Sequence, residues 1–183
     1  MKTIIKGTLL LSTLLLGSQV YANELDTINT TNWSLGVGSY AFSLNNTDDS
    51  SGDLDFSGFN ISAGYAVNNN FQIRGTYFNL ENDDYSTVKS KGFDLMAYGG
   101  TGFSRKGFRG YGGAGLFSDK WSAPGESESF SGIQLGGGLG YNWGSIAIDL
   151  VVNLRQADKY EDFMSRSGTY IAAAGNLSLS YLF

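Results

Sequence analysis

Residues 171–183 read IAAAGNLSLSYLF and alternate between apolar and polar side chains over their second half. Every second position from residue 171 to residue 183 is apolar or glycine, whereas Asn176, Ser178 and Ser180 lie between them. A period of two is that of a β-strand with one apolar and one polar face. The segment therefore predicts a terminal strand whose apolar face is continuous.

The same alternation occurs in seven earlier segments, so the chain as a whole predicts eight strands. No charged residue falls on the apolar face of any of them, and the other face holds Gly, Asn, Gln and a few charges but no Lys or Glu. A soluble β-sandwich usually carries Lys and Glu on its polar face, whereas small, sparsely charged side chains suit the narrow lumen of a barrel. The seven segments begin near Trp33, Phe59, Phe71, Phe93, Phe108, Ile133 and Ile146.

The connections between these segments alternate strictly in length. Short turns at 68–70, 105–106 and 143–144 alternate with long polar connections at 45–54, 81–91, 118–129 and 156–167. This pattern is typical of up-and-down outer-membrane barrels, which have short periplasmic turns and long extracellular loops. The sequence predicts an all-β fold, an eight-stranded antiparallel up-and-down transmembrane β-barrel over residues 31–183, with both termini periplasmic. We expect it to be a monomer.

Aromatic residues near the strand ends predict a belt at each membrane interface. The outer belt is predicted to contain Tyr77, Phe93 and Phe117. The periplasmic belt is predicted to contain Tyr65, Phe71, Phe103, Phe108, Tyr141, Tyr181 and Phe183.

The first residues predict an export signal. Lys2 and Lys6 precede an apolar run, and Val20-Tyr21-Ala22 is a small-x-small cleavage site. We expect residues 1–22 to be removed and residues 23–30 to form a short periplasmic segment. The remaining chain then has 10 basic and 17 acidic residues, a net charge of −7, which argues against nucleic acid as a partner.

The end of the chain carries a family resemblance. Leu177, Leu179, Tyr181 and Phe183 resemble the C-terminal signal that the assembly machinery of bacterial outer-membrane barrels recognises. Residues 31–183 are similar to the small eight-stranded outer-membrane family that includes the OmpA transmembrane domain, OmpX and the Ail-type adhesins. The resemblance implies a bacterial outer-membrane location, contact with outer-membrane lipids and lipopolysaccharide, and delivery by that machinery.

The composition argues against an enzyme. The chain has no His and no Cys, so it cannot build a Ser-His-Asp triad, a thiol nucleophile or a His/Cys zinc site. No spacing of Ser, Asp or Tyr suggests a nucleophile with its base. We expect no catalytic residues, no cofactor and no metal.

Five charged residues on the polar face predict two ionic clusters in the lumen. Counted from the short turns, Arg74, Arg109 and Asp149 fall at similar heights in the periplasmic half, whereas Asp94 and Arg155 fall near the other end. We predict that Arg74 and Arg109 pair with Asp149, and that Arg155 pairs with Asp94. Pairing the strands through the short turns places Gly64 beside Arg74 and Gly138 beside Asp149, which would clear space for the charged side chains.

The long connections are acidic and contain three aromatic residues. Tyr85, Trp121 and Tyr160 are candidate contact residues for a surface ligand of unknown identity, because exposed aromatics tend to anchor interfaces. The basic residues in these connections are Lys89, Lys91, Lys120, Lys159 and Arg166. The acidic residues are Asp48, Asp49, Asp53, Asp55, Glu81, Asp83, Asp84, Asp119, Glu126, Glu128, Asp158, Glu161 and Asp162.

Two kinds of function fit this pattern. One is a structural or surface-interaction (adhesin-like) role carried by the acidic extracellular loops. The alternative is a narrow or gated channel for small or hydrophobic solutes. An open pore is disfavoured, because eight strands leave little room and large side chains are predicted to fill the lumen. These side chains are Tyr40, Phe42, Phe78, Met96, Tyr98, Tyr111 and Phe117.

Overall fold

The computed structural model describes residues 32–47, 53–164 and 169–183. Eight strands and one short helix follow one another along the chain. They are β1 (Trp33–Asn46), β2 (Leu54–Asn68), β3 (Phe71–Asn82), β4 (Lys89–Thr101), β5 (Gly107–Ala123), β6 (Glu126–Asn142), β7 (Ile146–Arg155), α1 (Asp158–Met164) and β8 (Tyr170–Leu182).

The strands form one closed antiparallel barrel in which each pairs with its neighbours in sequence. The barrel closes between β1 and β8, where the register runs from Ser34 opposite Leu182 to Asn46 opposite Tyr170. Closure gives each of the eight strands a paired neighbour on both sides, as a membrane-spanning sheet requires. The predicted fold class is therefore confirmed. None of the helices in the described ranges is long and apolar enough to cross a membrane.

The two faces of the barrel differ as the alternation predicts. On the outer face Leu135 and Leu150 are 63% and 55% exposed, whereas Arg109 and Asp149 on the inner face are 0% exposed. The polar groups thus lie in the lumen, and the apolar side chains form the surface available to lipid. We call the end with the turns after β2, β4 and β6 the short-turn end, and the opposite end the long-loop end.

Arginine on the outer face should destabilise the barrel according to its depth. Leu150 lies in the middle of β7, so Leu150→Arg is expected to lower the free energy of unfolding by about 2–4 kcal/mol. Thr101 is exposed at the short-turn end of β4, so Thr101→Arg is expected to cost only about 0–1 kcal/mol. Urea unfolding in lipid vesicles measures both. Equal losses of unfolding free energy for Leu150→Arg and Thr101→Arg would show that Leu150 is not at the membrane centre.

Two of the predicted long connections contain regular structure. Residues 118–129 are mostly strand, because β5 and β6 continue beyond the end of β7 to a tight turn at Pro124 and Gly125. The φ of +87° at Gly125 suits glycine. The connection after β7 contains the helix α1, which strand alternation does not predict. The long-loop end is therefore more ordered than a set of polar loops.

The β6–β7 register differs from the prediction by two residues. The turn covers residues 143–145, and Asn142 lies opposite Ala147, so Gly140, and not Gly138, lies opposite Asp149. A Cβ at Gly140 would lie 2.6 Å from the Asp149 Oδ1, whereas a Cβ at Gly138 would lie 2.7 Å from the Tyr111 ring. Both glycines therefore make room for lumen side chains. The predicted pairing of Gly64 with Arg74 is correct.

Phe103 and Phe117 do not belong to the aromatic belts. Phe103 follows Gly102, whose φ of +88° turns the chain inward at the end of β4, and its ring packs 5.1 Å from that of Tyr111 inside the barrel. Phe117 lies on the inner face of β5 and is also buried. Both side chains therefore fill the lumen.

Several predictions lie outside the described residues. They are the export signal over residues 1–22, the periplasmic segment over residues 23–30, and the loop charges of Asp48, Asp49 and Arg166.

Candidate functional site: the lumen and the long-loop end

Asp149 is the centre of a buried cluster in the short-turn half of the lumen. Its Oδ2 accepts hydrogen bonds from Arg109 Nη1 at 3.1 Å and from Arg74 Nη2 at 3.5 Å. Its Oδ1 accepts one from the Tyr111 hydroxyl at 2.8 Å. The structure thus brings together the three charged residues that the sequence places there, with Tyr111 as an additional partner.

Aromatic rings enclose the two arginines of this cluster. The Arg109 guanidinium lies 5.5 Å from the centre of the Phe103 ring. The Arg74 guanidinium lies 5.5 Å from the rings of both Tyr98 and Tyr111. Such contacts favour a cation in a site from which water is excluded. The cluster therefore places both charged and aromatic side chains in the buried interior of the barrel at this height.

Arg155 is the centre of a second cluster, nearer the long-loop end. Its Nη2 donates to Asp94 Oδ1 at 2.8 Å and to the Tyr40 hydroxyl at 2.9 Å, and Tyr40 in turn donates to Asp94 Oδ2 at 2.6 Å. The Arg155 guanidinium also lies about 5 Å from three aromatic ring centres. These rings are Phe42, Phe78 and Phe117, at 5.1, 5.1 and 4.7 Å.

Asp119, which the sequence predicts in a polar loop, belongs to this cluster. Its carboxylate accepts from Arg155 Nη1 at 3.4 Å, from Trp121 Nε1 at 3.2 Å and from the Tyr160 hydroxyl at 3.1 Å. The parity of residues along β5 indicates the inward position of Asp119. Asp119 has the same odd-numbered parity along β5 as the inward Arg109 and Tyr111, so the alternation continues through the supposed loop.

The buried charges in the described ranges balance. They are three arginines and three aspartates. The short-turn cluster has two cations for one carboxylate, and the long-loop cluster has one cation for two carboxylates. Each Asp or Arg therefore depends on partners from other strands, because burial of an unpaired charge is costly.

An aromatic cluster closes the barrel above Arg155. Tyr160 of α1 packs against Phe130, Phe42 and Trp121, with ring centres 4.6, 5.5 and 5.5 Å apart. Phe56 packs against Trp121 at 4.9 Å. Burial raises the pKa of the Tyr160 hydroxyl well above its ordinary value, so this hydroxyl stays protonated and donates to Asp119. The helix α1 is thereby fastened over the mouth of the barrel.

The structure separates the three aromatic residues that the sequence suggested as surface contacts. Tyr85 is 66% exposed between β3 and β4, as expected of a contact residue. The exposure predicted for Trp121 and Tyr160 is wrong, since they are 5% and 0% exposed. Trp121 lies on the inner face of β5, and Tyr160 points into the aromatic cluster, so both hold the mouth closed.

A groove of about 450 Å³ opens to solvent at the long-loop end. Its apolar wall is formed by Phe56, Tyr85, Val88 and Phe163, with the edge of Trp121. Two carboxylates at the start of β6 also line the groove. They belong to Glu126 and Glu128, and neither forms an ion pair with a residue of the described ranges. The groove thus combines an apolar surface with uncompensated negative charge.

The C-terminal residues lie on the outer face where the barrel closes. Leu177, Leu179, Tyr181 and Phe183 are all about half exposed. The backbone of Phe183 exchanges two hydrogen bonds with that of Trp33, each 3.0 Å long. These two bonds extend the β1–β8 pairing by one residue beyond Ser34 and Leu182.

A closed antiparallel barrel with an apolar outer face and a polar, charged lumen defines the class of transmembrane β-barrels. The sequence profile of the outer membrane protein beta-barrel domain matches residues 8–183, and the chain belongs to that family. Its location is therefore the bacterial outer membrane, and the family resemblance predicted from the sequence is confirmed. No curated protein sequence matches the chain.

Solved structures of small outer-membrane barrels share this fold. Ail, the attachment invasion locus protein of Yersinia pestis, is 20% identical with a TM-score of 0.53 over 84% of this chain and 99% of its own. Neisserial surface protein A is 15% identical with a TM-score of 0.57 over 82% and 97%. OprG of Pseudomonas aeruginosa is 10% identical with a TM-score of 0.54 over 84% and 96%. Ail has also been solved with the heparin analogue sucrose octasulfate.

Proposed function

We propose that this chain is a non-enzymatic surface-interaction protein with a closed lumen, and that its groove binds a cationic partner with an apolar face. In this proposal residues 1–22 are an export signal, the termini and short turns are periplasmic, and the long-loop end is extracellular. The C-terminal residues Leu177, Leu179, Tyr181 and Phe183 serve as the assembly signal. The barrel acts as a monomeric scaffold for the extracellular end.

The main support for this proposal is the closure of the lumen at successive heights. The Asp149 cluster occupies the short-turn half, the Arg155 cluster lies above it, and the aromatic cluster around Tyr160 covers the mouth. A solute crossing the barrel would have to separate buried ion pairs, at a cost that burial makes large. The surface at the long-loop end is then the part of the protein that can meet a partner, and this argues against the channel alternative.

The charge of the groove decides the kind of partner. Glu126 and Glu128 disfavour a sulfated or phosphorylated ligand and favour a basic one. The exposed Tyr85 and Phe163 can pack against an apolar side chain beside the positive charge. A peptide segment with interleaved Lys or Arg and aliphatic residues has both features. Sucrose octasulfate, the ligand of the Ail complex, has the opposite charge.

Loss of the two carboxylates should weaken binding of such a peptide. The protein in nanodiscs of zwitterionic lipid is titrated calorimetrically with a peptide of alternating Lys and Leu. Two exposed ion pairs contribute about 0.2–1 kcal/mol each, so Glu126→Gln with Glu128→Gln is expected to weaken binding by roughly 2- to 30-fold. Higher salt should weaken wild-type binding as well.

The matched control is Asp162→Asn. Asp162 is an exposed acidic residue of α1 that does not line the groove, so its loss should leave the affinity unchanged. Equal affinities for the wild type and the double variant would contradict the proposal. Tighter binding of a sulfated polysaccharide than of the Lys-Leu peptide would also contradict it.

A further inference from the structure

Two lysines face each other across paired strands on the outer surface of the barrel. Lys91 of β4 and Lys120 of β5 are directly opposite in the register, and both are exposed. Residues opposite each other in an antiparallel pair have Cβ atoms about 4.5–5.5 Å apart, and like charges at such positions destabilise the sheet. An anion placed between the two ammonium groups would relieve this repulsion.

No carboxylate of the described ranges supplies that anion. Lys89, two residues earlier, pairs with Glu81 at 2.7 Å, whereas neither Lys91 nor Lys120 forms an ion pair with a described residue. Asp119 is adjacent to Lys120 in sequence, but it points into the lumen, where Arg155 and Tyr160 hold it. The lysine pair thus carries two uncompensated positive charges.

The lysine pair lies at the boundary between the apolar and polar zones of the outer face. Two residues towards the membrane centre, Tyr77 pairs with Phe93, and both rings are exposed. Two residues further, Leu95 pairs with Leu116. Along this surface the side chains change from aliphatic to aromatic to cationic, the order expected from acyl chains to headgroups.

A shallow groove of about 320 Å³ joins these groups. The two lysines line it together with Tyr77, Gly92, Phe93, Ser118, Ser129 and Asp119, whose side chain is buried on the lumen side. The lysine ammonium groups can donate to an anion, and so can the two serine hydroxyls, while the rings offer an apolar surface just below it. The groove therefore fits an amphiphile whose anionic group sits above its acyl chains.

We infer that Lys91 and Lys120 bind the phosphate of a membrane lipid whose acyl chains lie along Phe93, Leu95 and Leu116. With the orientation proposed above, that lipid is in the outer leaflet, and the phosphate-bearing base of lipopolysaccharide is the occupant. The leaflet rests on the proposed orientation, whereas the affinity for a lipid phosphate does not. The site is separate from the acidic groove, which lies at the top of the mouth.

Lipid binding by purified protein tests this inference. The protein in neutral detergent is mixed with bisphosphorylated lipid A, with lipid A stripped of its phosphates, or with inorganic phosphate, and bound species are counted by native mass spectrometry. Each lysine near a membrane surface adds electrostatic attraction for an anionic lipid. Loss of both in Lys91→Gln with Lys120→Gln is therefore expected to weaken lipid A binding about 30-fold. Lys89→Gln, which removes a lysine already paired with Glu81, should leave binding within about twofold of the wild type.

A stability measurement separates binding from a structural role of the lysines. In neutral detergent without lipid A, the double variant should unfold at a higher temperature than the wild type, because the repulsion between Lys91 and Lys120 is removed. Addition of lipid A should raise the unfolding temperature of the wild type more than that of the variant.

Three results would overturn the inference. They are equal lipid A binding by the wild type and the double variant, equal binding of the lipid with and without phosphate, and inorganic phosphate binding as tightly as lipid A. None of these experiments uses the acidic groove or the membrane orientation, so their failure would leave the proposed function standing.

Discussion

Replacement of Asp149 by asparagine is expected to lower the free energy of unfolding by about 3–5 kcal/mol. The variant keeps the size of the side chain but leaves Arg74 and Arg109 buried with no carboxylate partner. Arg109 is the more affected of the two. Arg74 also donates to Gln72 Oε1 at 2.9 Å and to the Tyr111 hydroxyl at 3.3 Å, whereas Nε and Nη2 of Arg109 have no hydrogen-bond partner among the described residues. Urea unfolding in lipid vesicles, followed by tryptophan fluorescence, measures the loss.

Two further variants show whether the unpaired buried charge causes the loss of stability in Asp149→Asn. Thr76→Val changes another buried lumen residue without altering charge and should cost less than about 1 kcal/mol. Combining Asp149→Asn with Arg109→Gln removes one cation together with the carboxylate and should recover part of the stability, since coupled residues are not additive. A loss for Asp149→Asn no larger than that for Thr76→Val would contradict the ionic cluster.

Replacement of Arg155 by methionine is expected to cost a similar amount, about 3–5 kcal/mol. Methionine keeps an apolar stem against Phe42, Phe78 and Phe117, but it leaves the carboxylates of Asp94 and Asp119 buried without a cation. Tyr40, Trp121 and Tyr160 can still donate hydrogen bonds to them. The same unfolding measurement applies.

Matched variants test whether the loss of the buried cation causes the loss of stability in Arg155→Met. Lys106→Met removes an exposed cation from a short turn, and its effect should stay within about 0.5 kcal/mol. Adding Asp94→Asn and Asp119→Asn to Arg155→Met should restore much of the stability, because no unpaired buried charge then remains. A triple variant less stable than Arg155→Met would show that the carboxylates are not the source of the loss.

The barrel and its lumen charges could be predicted because both depend on one repeating feature. A period of two assigns each side chain to the outer or the inner face, and short turns fix the relative height of neighbouring strands. Arg74 and Asp149 could therefore be placed together from opposite sides of the barrel. The predicted height of a residue is wrong where the length of a turn differs from the expected one, as in the β6–β7 pair, where Gly140 and not Gly138 lies opposite Asp149.

The mouth of the barrel could not be predicted in the same way. Polar composition suggested loops at residues 118–129, but the strands continue there, and Asp119 and Trp121 keep their inward parity. Tyr160 belongs to a short helix that packs across the barrel, and no local pattern indicates which of its faces is buried. Tertiary contacts with Phe42 and Phe130, distant in sequence, decide that position.

Single-channel recording in planar lipid bilayers tests the central claim, that the lumen is closed and the protein acts through its surface. Insertion of the refolded wild-type barrel is first established by its heat-dependent change in electrophoretic mobility. Because the two ionic clusters and the aromatic cluster around Tyr160 occupy successive heights of the lumen, the account predicts no resolved current steps at any applied voltage. Reproducible steps from inserted wild-type protein, reporting a continuous path for ions, would contradict it.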